Sequence, residues 1–179
     1  MPDPSPSPPP EVLLTRAQVA ERVEALAARI APELDRDSVV VCLLTGGVWF
    51  FADLTRALSR LGCDPLFDAL WLASYGDATT TSGRVVERAG LQRSVAGRKV
   101  LIVDDVIDSG LSLLAARRLC EKAGAAEVKI AVFASKPWPH PREISPDHVA
   151  WHAPARFLAG YGMDDAGRLR GLDGVVALD

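Results

Sequence analysis

The sequence predicts an α/β fold, a mostly parallel central sheet flanked by helices. Three observations carry this. Apolar, β-rich runs at residues 38–44, 65–74, 98–103 and 127–134 alternate with segments of helical periodicity. These runs are almost continuously apolar, as in strands covered on both faces of a parallel sheet. At 179 residues and 49% apolar content, the chain is long enough for one well-cored domain and short for two.

Each element follows from local signals. Residues 1–11 are a Pro/Ser-rich leader, expected as a disordered tail, and 12–179 form a single domain. Thr15 and Gln18 form a capping-box pattern, and Val19, Val23, Leu26 and Ile30 repeat at helical spacing until Pro32. Residues 38–44 read as a buried strand that stops at Thr45-Gly46-Gly47. Helical spacing resumes over 48–61 and ends at Gly62. Residues 65–74 are the next strand, 75–83 a Thr/Gly-rich loop, and 85–95 an ambiguous stretch with room for a short strand. A strand at 98–103, a helix at 110–123 and a strand at 127–134, closed by Lys136-Pro137, follow. A Pro-rich connection over 137–146 leads to short late strands at 148–152, around Leu158 and at 175–178.

Composition narrows the function classes. The formal net charge of −3 offers no basic field for sequence-independent nucleic-acid binding. A polyphosphate ligand would need local cations or a metal. No apolar run approaches a membrane span, and the leader lacks the basic and apolar regions of a signal peptide. The expectation is a cytoplasmic protein without nucleic-acid or membrane partners. Cys42, Cys63 and Cys120 are odd in number and widely spaced, so they read as buried reduced thiols. His140, His148 and His152 have no metal-ligand spacing, and Trp49, Trp71, Trp138 and Trp151 read as core or interface.

The chemistry concentrates in Val100-Leu101-Ile102-Val103-Asp104-Asp105-Val106-Ile107-Asp108-Ser109-Gly110-Leu111-Ser112. An apolar strand ends at two adjacent carboxylates, which cannot be buried without partners. They call for hydroxyls, water or a hydrated metal, and the vicinal hydroxyls of a ribose would serve. Asp108 follows above the same pocket. Ser109, Gly110 and Ser112 supply N–H groups and hydroxyls at a helix start, which is an anion site by geometry and dipole. Singly, these would be turn aspartates and an ordinary N-cap; three acids directly after an apolar strand favour the site. Asp104-Asp105-Val106-Ile107-Asp108 also spells the Asp-Asp-x-x-Asp of isoprenoid synthases, where the acids bind magnesium diphosphate from a helix. This chain is too short for that all-helical fold, and its acids follow a β-rich run.

Residues 100–112 resemble the signature of the type I phosphoribosyltransferases, which bind phosphoribosyl diphosphate (PRPP). Other segments are similar to the 6-oxopurine (hypoxanthine/guanine) branch in the same order. Leu43-Leu44-Thr45-Gly46-Gly47, with Phe50-Phe51-Ala52-Asp53-Leu54, resembles the diphosphate loop and following helix. Ser74-Tyr75-Gly76 resembles the start of a mobile lid. Lys136-Pro137 and Phe157-Leu158-Ala159-Gly160-Tyr161-Gly162-Met163-Asp164 resemble the purine pocket.

The resemblance implies a type I phosphoribosyltransferase fold with a small hood built largely from 136–179. It also implies transfer of ribose 5-phosphate from PRPP to N9 of hypoxanthine or guanine, releasing diphosphate. Asp108 would move the purine N7 proton, and Ser74 and Tyr75 would close over the reacting centre. Thr45, Gly46 and Arg170 would hold diphosphate. Residues Asp108, Ser109, Gly110, Leu111 and Ser112 would cradle the 5-phosphate, and Asp104 and Asp105 the ribose hydroxyls. Lys136 would donate to the purine 6-oxygen, Phe157 would stack on the base, Leu158 would meet its exocyclic edge by backbone, and Asp164, in the same purine-pocket segment, would meet the magnesium–diphosphate by side chain. Mg2+ would be held by Asp104, Asp105 and Asp164. The family also implies a homodimer or homotetramer and a cis peptide at Leu44–Thr45. Two departures stand out: Asp104 where the family usually has Glu, and Thr45 where the human-type enzymes have Lys. The alternative is a PRPP- or nucleotide-binding regulator of the same fold without turnover. Asp108, Ser74, Tyr75, Lys136 and Phe157 weigh toward the enzyme.

Overall fold

The computed structural model describes residues 10–75 and 84–179. Its elements are β1 (Glu11–Leu14), α1 (Arg16–Ile30), β2 (Val39–Leu44), α2 (Val48–Arg60), β3 (Leu66–Tyr75), β4 (Arg84–Ala89), β5 (Lys99–Ile107), α3 (Leu111–Lys122), β6 (Glu127–Ser135), β7 (His148–His152), β8 (Leu158–Ala159) and β9 (Val175–Ala177), with a 3-10 turn (Ala31–Glu33) after α1. The main sheet has the order β4-β3-β2-β5-β6-β7. All its neighbours are parallel except β3 and β4, an antiparallel pair at one edge.

The side-chain period of two explains the layering. Val40, Leu101, Val103, Ala131 and Phe133 face a core shared with Val23 and Leu26 of α1 and Phe50 and Leu54 of α2. Val39, Val41, Val100, Ile102, Ile130 and Val132 face the opposite way, onto Leu113, Ala116 and Cys120 of α3. Runs buried on both faces must be apolar at every position, hence Val39-Val40-Val41-Cys42. α1 starts where the capping box predicts: Gln18 N donates to Thr15 Oγ1 at 3.4 Å, and Thr15 N donates to Gln18 Oε1 at 2.9 Å.

Four features differ from the sequence reading. β5 does not stop at Val103; it continues through both acids to Ile107, because its ladder with β6 runs on to Ser135. The small antiparallel sheet has the order β1-β9-β8, so its strands come from both ends of the chain rather than from the carboxyl-terminal segment alone. Glu11, grouped with the leader by composition, is the first residue of β1 and pairs with Ala177. Cys42 and Cys120 are buried as expected, but Cys63 is only half-buried. No helix among the described residues is long and apolar enough to cross a membrane.

Phe133 of β6 joins the two sheets. Its ring meets Phe50 at 5.8 Å, Trp151 at 6.4 Å and Tyr161 at 4.6 Å between centroids. The Tyr161 hydroxyl donates to Asp53 Oδ2 of α2 at 2.9 Å, so the phenol of this buried ring has a partner. Phe133→Ala is expected to cost about 3–5 kcal/mol in urea denaturation, since it empties a fully enclosed ring site.

Candidate active site

The order of the main sheet sets the location. From β2 the chain moves outward to β3 and β4, then returns to the other side of β2 as β5. The crevice between the carboxyl ends of β2 and β5 is therefore a topological switch point, where open α/β sheets bind ligands. Along this edge lie, side by side, the ends of β3 (Tyr75), β2 (Thr45), β5 (Asp104 to Asp108) and β6 (Lys136). Motifs far apart in sequence thus share one rim.

On the β2 side the Leu44–Thr45 peptide is cis, as the resemblance implies. The turn that follows is packed without room for side chains. A Cβ on Gly46 would lie 2.2 Å from Asp105 Oδ2, and one on Gly47 would lie 2.7 Å from Leu43 O and 2.9 Å from Val103 O. From the other side, Gly162 has φ +102, and a Cβ there would lie 2.2 Å from Gly46 O. The β2 turn is pressed between Asp105 and the loop after β8.

Asp104 and Asp105 differ in their surroundings. Asp104 lines a cavity of about 180 Å³ with residues 106–113. Asp105 is 7% exposed and lies beneath Gly46. Burial pushes the Asp104 carboxyl well above the usual range, and the Asp105 charge adds to this. Burial raises Asp105 as well. Two local bonds, Asp105 N to Asp104 Oδ1 at 3.0 Å and Val106 N to Asp105 Oδ1 at 2.9 Å, satisfy part of the pair. The Arg170 guanidinium draws both back toward ionisation. It also donates to Gly162 O at 2.6 Å and pairs with Asp164 Oδ1 at 2.5 Å. Asp164 Oδ2 accepts from Gly167 N at 2.6 Å. Thus Gly46, Asp105, Gly162, Asp164 and Arg170 form one connected layer.

The second half of the site opens α3. Gly110 takes the left-handed conformation, φ +82, immediately before the helix, and a Cβ there would lie 2.8 Å from Ile144 Cγ2. Ser109 Oγ accepts weakly from Leu111 N at 3.5 Å. Asp108, Ser109, Gly110, Leu111 and Ser112 all line the same cavity as Asp104, at the positive end of a 12-residue helix. Asp108 is exposed, and its Oδ1 lies 3.3 Å from Lys136 Nζ, across from β5 to the end of β6. An acceptor and a cationic donor thus stand adjacent above the crevice.

Phe157 and Leu158 lie at the start of β8, with the Phe157 ring 46% exposed and Leu158 buried. The lid expectation falls on Ser74 and Tyr75, whose backbone ends β3, paired with Val85 and Arg84; residues 76–83, from Gly76 onward, lie outside the described residues. Two contributors were given no role in the sequence. Gly162, quoted there only within the Phe157–Asp164 segment, acts by the closeness of its backbone. Arg142 sits alone among prolines and donates to carbonyls of Ile107, Asp108 and Lys136. Cys42 lies behind the acids; burial and the Asp104 charge push its thiol up to about 12, so it is no nucleophile at neutral pH.

Comparison with known proteins agrees with this geometry. The phosphoribosyl transferase domain model matches residues 15–165. The chain is 33% identical over 163 residues to hypoxanthine-guanine phosphoribosyltransferase of Bacillus subtilis, covering 90% of this chain and 89% of that one. It is 33% identical over 178 residues to the protein of the same name from Mycobacterium avium, covering 94% and 85%. Among solved structures, hypoxanthine phosphoribosyltransferase from Trypanosoma cruzi in complex with the product IMP superposes with a TM-score of 0.85 at 30% identity, covering 94% of each chain. A fold with the switch-point crevice, a signature through all three acids, and relatives matched over nearly their full length lead to one conclusion: the chain belongs to the phosphoribosyltransferase family, among the hypoxanthine-guanine phosphoribosyltransferases.

Proposed function

We propose that this protein is a purine salvage enzyme that transfers the 5-phosphoribosyl group of PRPP to N9 of hypoxanthine or guanine, giving IMP or GMP and diphosphate. The observation that carries the choice of base is the Asp108–Lys136 pair. In a 6-oxopurine bearing its proton on N7, the O6 acceptor and the N7–H donor are neighbours on one edge. Lys136 offers a donor to O6, and Asp108, beside it, an acceptor to N7–H. Adenine would set its own 6-amino donor against Lys136. The half-exposed Phe157 ring supplies a face for the base to stack on, and Leu158 offers its backbone to the exocyclic edge.

PRPP binds along the rim. The 5-phosphate takes the cavity at the start of α3, where backbone N–H groups and the helix dipole favour an anion. The ribose hydroxyls donate to Asp104 and Asp105. The diphosphate meets the N–H groups at Thr45 and Gly46, with Arg170 the nearby cation in place of the lysine that Thr45 replaces. A half-buried and a buried carboxylate, Asp104 and Asp105, both raised by desolvation and both drawn down by Arg170, suit a hydrated hard cation. Mg2+ takes one or two carboxylates and completes its shell with waters and substrate oxygens. Asp104 and Asp105 would hold it, and Asp164 would join once its bond to Arg170 opens. When bound, the ion neutralises charge on the leaving diphosphate. Ser74 and Tyr75 are assigned to closing over the reacting carbon and excluding water. As the C1–O bond breaks and N9 bonds to C1, Asp108 takes the N7 proton.

Unpaired Cys42, Cys63 and Cys120 suit a reducing, cytoplasmic location. A homodimer fits the surface: Val48, Phe67 and Trp71 are each more than one-third exposed, Phe67 packs on Phe51 at 5.5 Å, and Arg88 lies over Trp71 at 5.5 Å. Trp71 is in register with Leu44, so this apolar face continues from the diphosphate loop.

Four outcomes test these assignments. With PRPP, Mg2+ and hypoxanthine or guanine, a spectrophotometric assay should detect nucleotide; no product with either base would favour the regulator. Asp108→Asn is expected to lower kcat by about 100-fold or more while the KM for PRPP stays within about threefold. Gly46→Ala should raise the KM for PRPP at least about tenfold, because the new methyl displaces either the loop or Asp105. Phe67→Asp should turn a dimer into a monomer in sedimentation velocity, by placing a charge in the apolar face.

A further inference from the structure

The strands β5 and β6 stop pairing at Ile107 and Ser135, just before the two residues that face the base. Beyond that point the carbonyls of Asp108 and Lys136 need donors that the sheet no longer provides, while Ile107 O keeps one backbone donor and has room for a second. A single side chain supplies them. Arg142 Nε donates to Asp108 O at 2.5 Å, and Nη2 donates to Ile107 O at 3.3 Å and to Lys136 O. Lys136 N also donates to Ile107 O at 3.3 Å. The guanidinium therefore replaces the missing rung between the phosphate loop and the lysine.

The same strap grips the loop a second time. Ile144, 5% exposed, lies where a Cβ on Gly110 would fall 2.8 Å from its Cγ2, and Glu143 pairs with Arg118 of α3 at 3.6 Å. One short segment of the Pro-rich connection thus contacts the 5-phosphate cradle and the base lysine together. Only a planar fork with several N–H donors reaches three carbonyls from one position, so lysine is no equivalent here.

We propose that Arg142 is a positioning residue. It holds Asp108 and Lys136 in one frame, so that occupation of the 5-phosphate cradle and binding of the purine edge support each other. This rests on the roles given above to Asp108 and Lys136. Arg142 acts through the three backbone carbonyls that its Nε and Nη2 hold, and no substrate contact is assigned to it.

Steady-state kinetics with PRPP, Mg2+ and hypoxanthine test this in four variants: Arg142→Ala, Arg142→Lys, Lys136→Ala, and Lys136→Ala with Arg142→Ala, with melting temperatures measured in parallel. Arg142→Ala is expected to raise the KM for hypoxanthine about tenfold, and Arg142→Lys, which keeps the charge but loses the fork, about threefold. In the Lys136→Ala background, Arg142→Ala should add less than about twofold, because the group it positions is gone. A native KM in Arg142→Lys or Arg142→Ala overturns the proposal, as does an equal tenfold cost in the Lys136→Ala background. Arg142→Lys decides the matter if Arg142→Ala does not fold. Lys136→Ala with a native KM would instead overturn the role of Lys136, separating that failure from this one.

Discussion

The site depends on a close approach between two backbones and one buried carboxylate. Gly46 lies directly against Asp105, and Gly162 lies against Gly46, at separations that leave no space for a Cβ. Asp105 is thereby held out of water, where its charge is costly. That cost is offset by local N–H donors, by Arg170 and, during turnover, by what binds. The same compression fixes the β2 turn, whose Gly47 N–H is bonded back to Leu43 O at 3.1 Å. In the proposed reading, diphosphate recognition at Thr45 and Gly46 and carboxylate burial at Asp105 would share this one packing arrangement.

The opposite wall of the crevice is built on a different principle. The cradle at α3 is lined by Asp104, Asp108, small polar residues and the apolar Val106, Ile107, Leu111 and Leu113, with no cation among its lining residues, so in the proposed reading the helix dipole and oriented N–H groups would hold the anion. Besides the Asp104 carboxylate, charge enters at its rim as the Asp108–Lys136 pair. Two charged groups 3.3 Å apart at a partly exposed site contribute little stability. Their value is chemical: they keep a donor and an acceptor at the spacing of a purine edge.

Much of this was legible in the sequence because it is local. The capping box at Thr15, the apolar runs of β2 and β6, and the acids after Val103 each announce themselves within a few residues. The end of β5 did not. Asp104 and Asp105 look like a strand stop, yet the ladder with β6 carries the strand past them. β1 escaped notice because Glu11-Val12-Leu13-Leu14 is short, follows a proline tract and finds its partner near the other end of the chain. Arg142 was invisible for the same reason: its meaning lies in three carbonyls that only the fold brings together. Asp164, read as a possible metal ligand, is tied to Arg170 by a contact no spacing rule reports.

The small sheet has a consequence for how the molecule is assembled. Val175–Ala177 is sandwiched between Glu11–Leu14 and Leu158–Ala159, so the strand that leads from Phe157 is supported by residues from the two extremes of the sequence. Pairing Glu11 with Ala177 closes a loop spanning almost the whole chain, an event of high contact order and therefore slow. The main sheet, from β2 through β6, closes through connections far shorter than that loop and can form without it. The carboxyl edge of the main sheet, with the start of α3, should then be in place before the small sheet that supports Phe157.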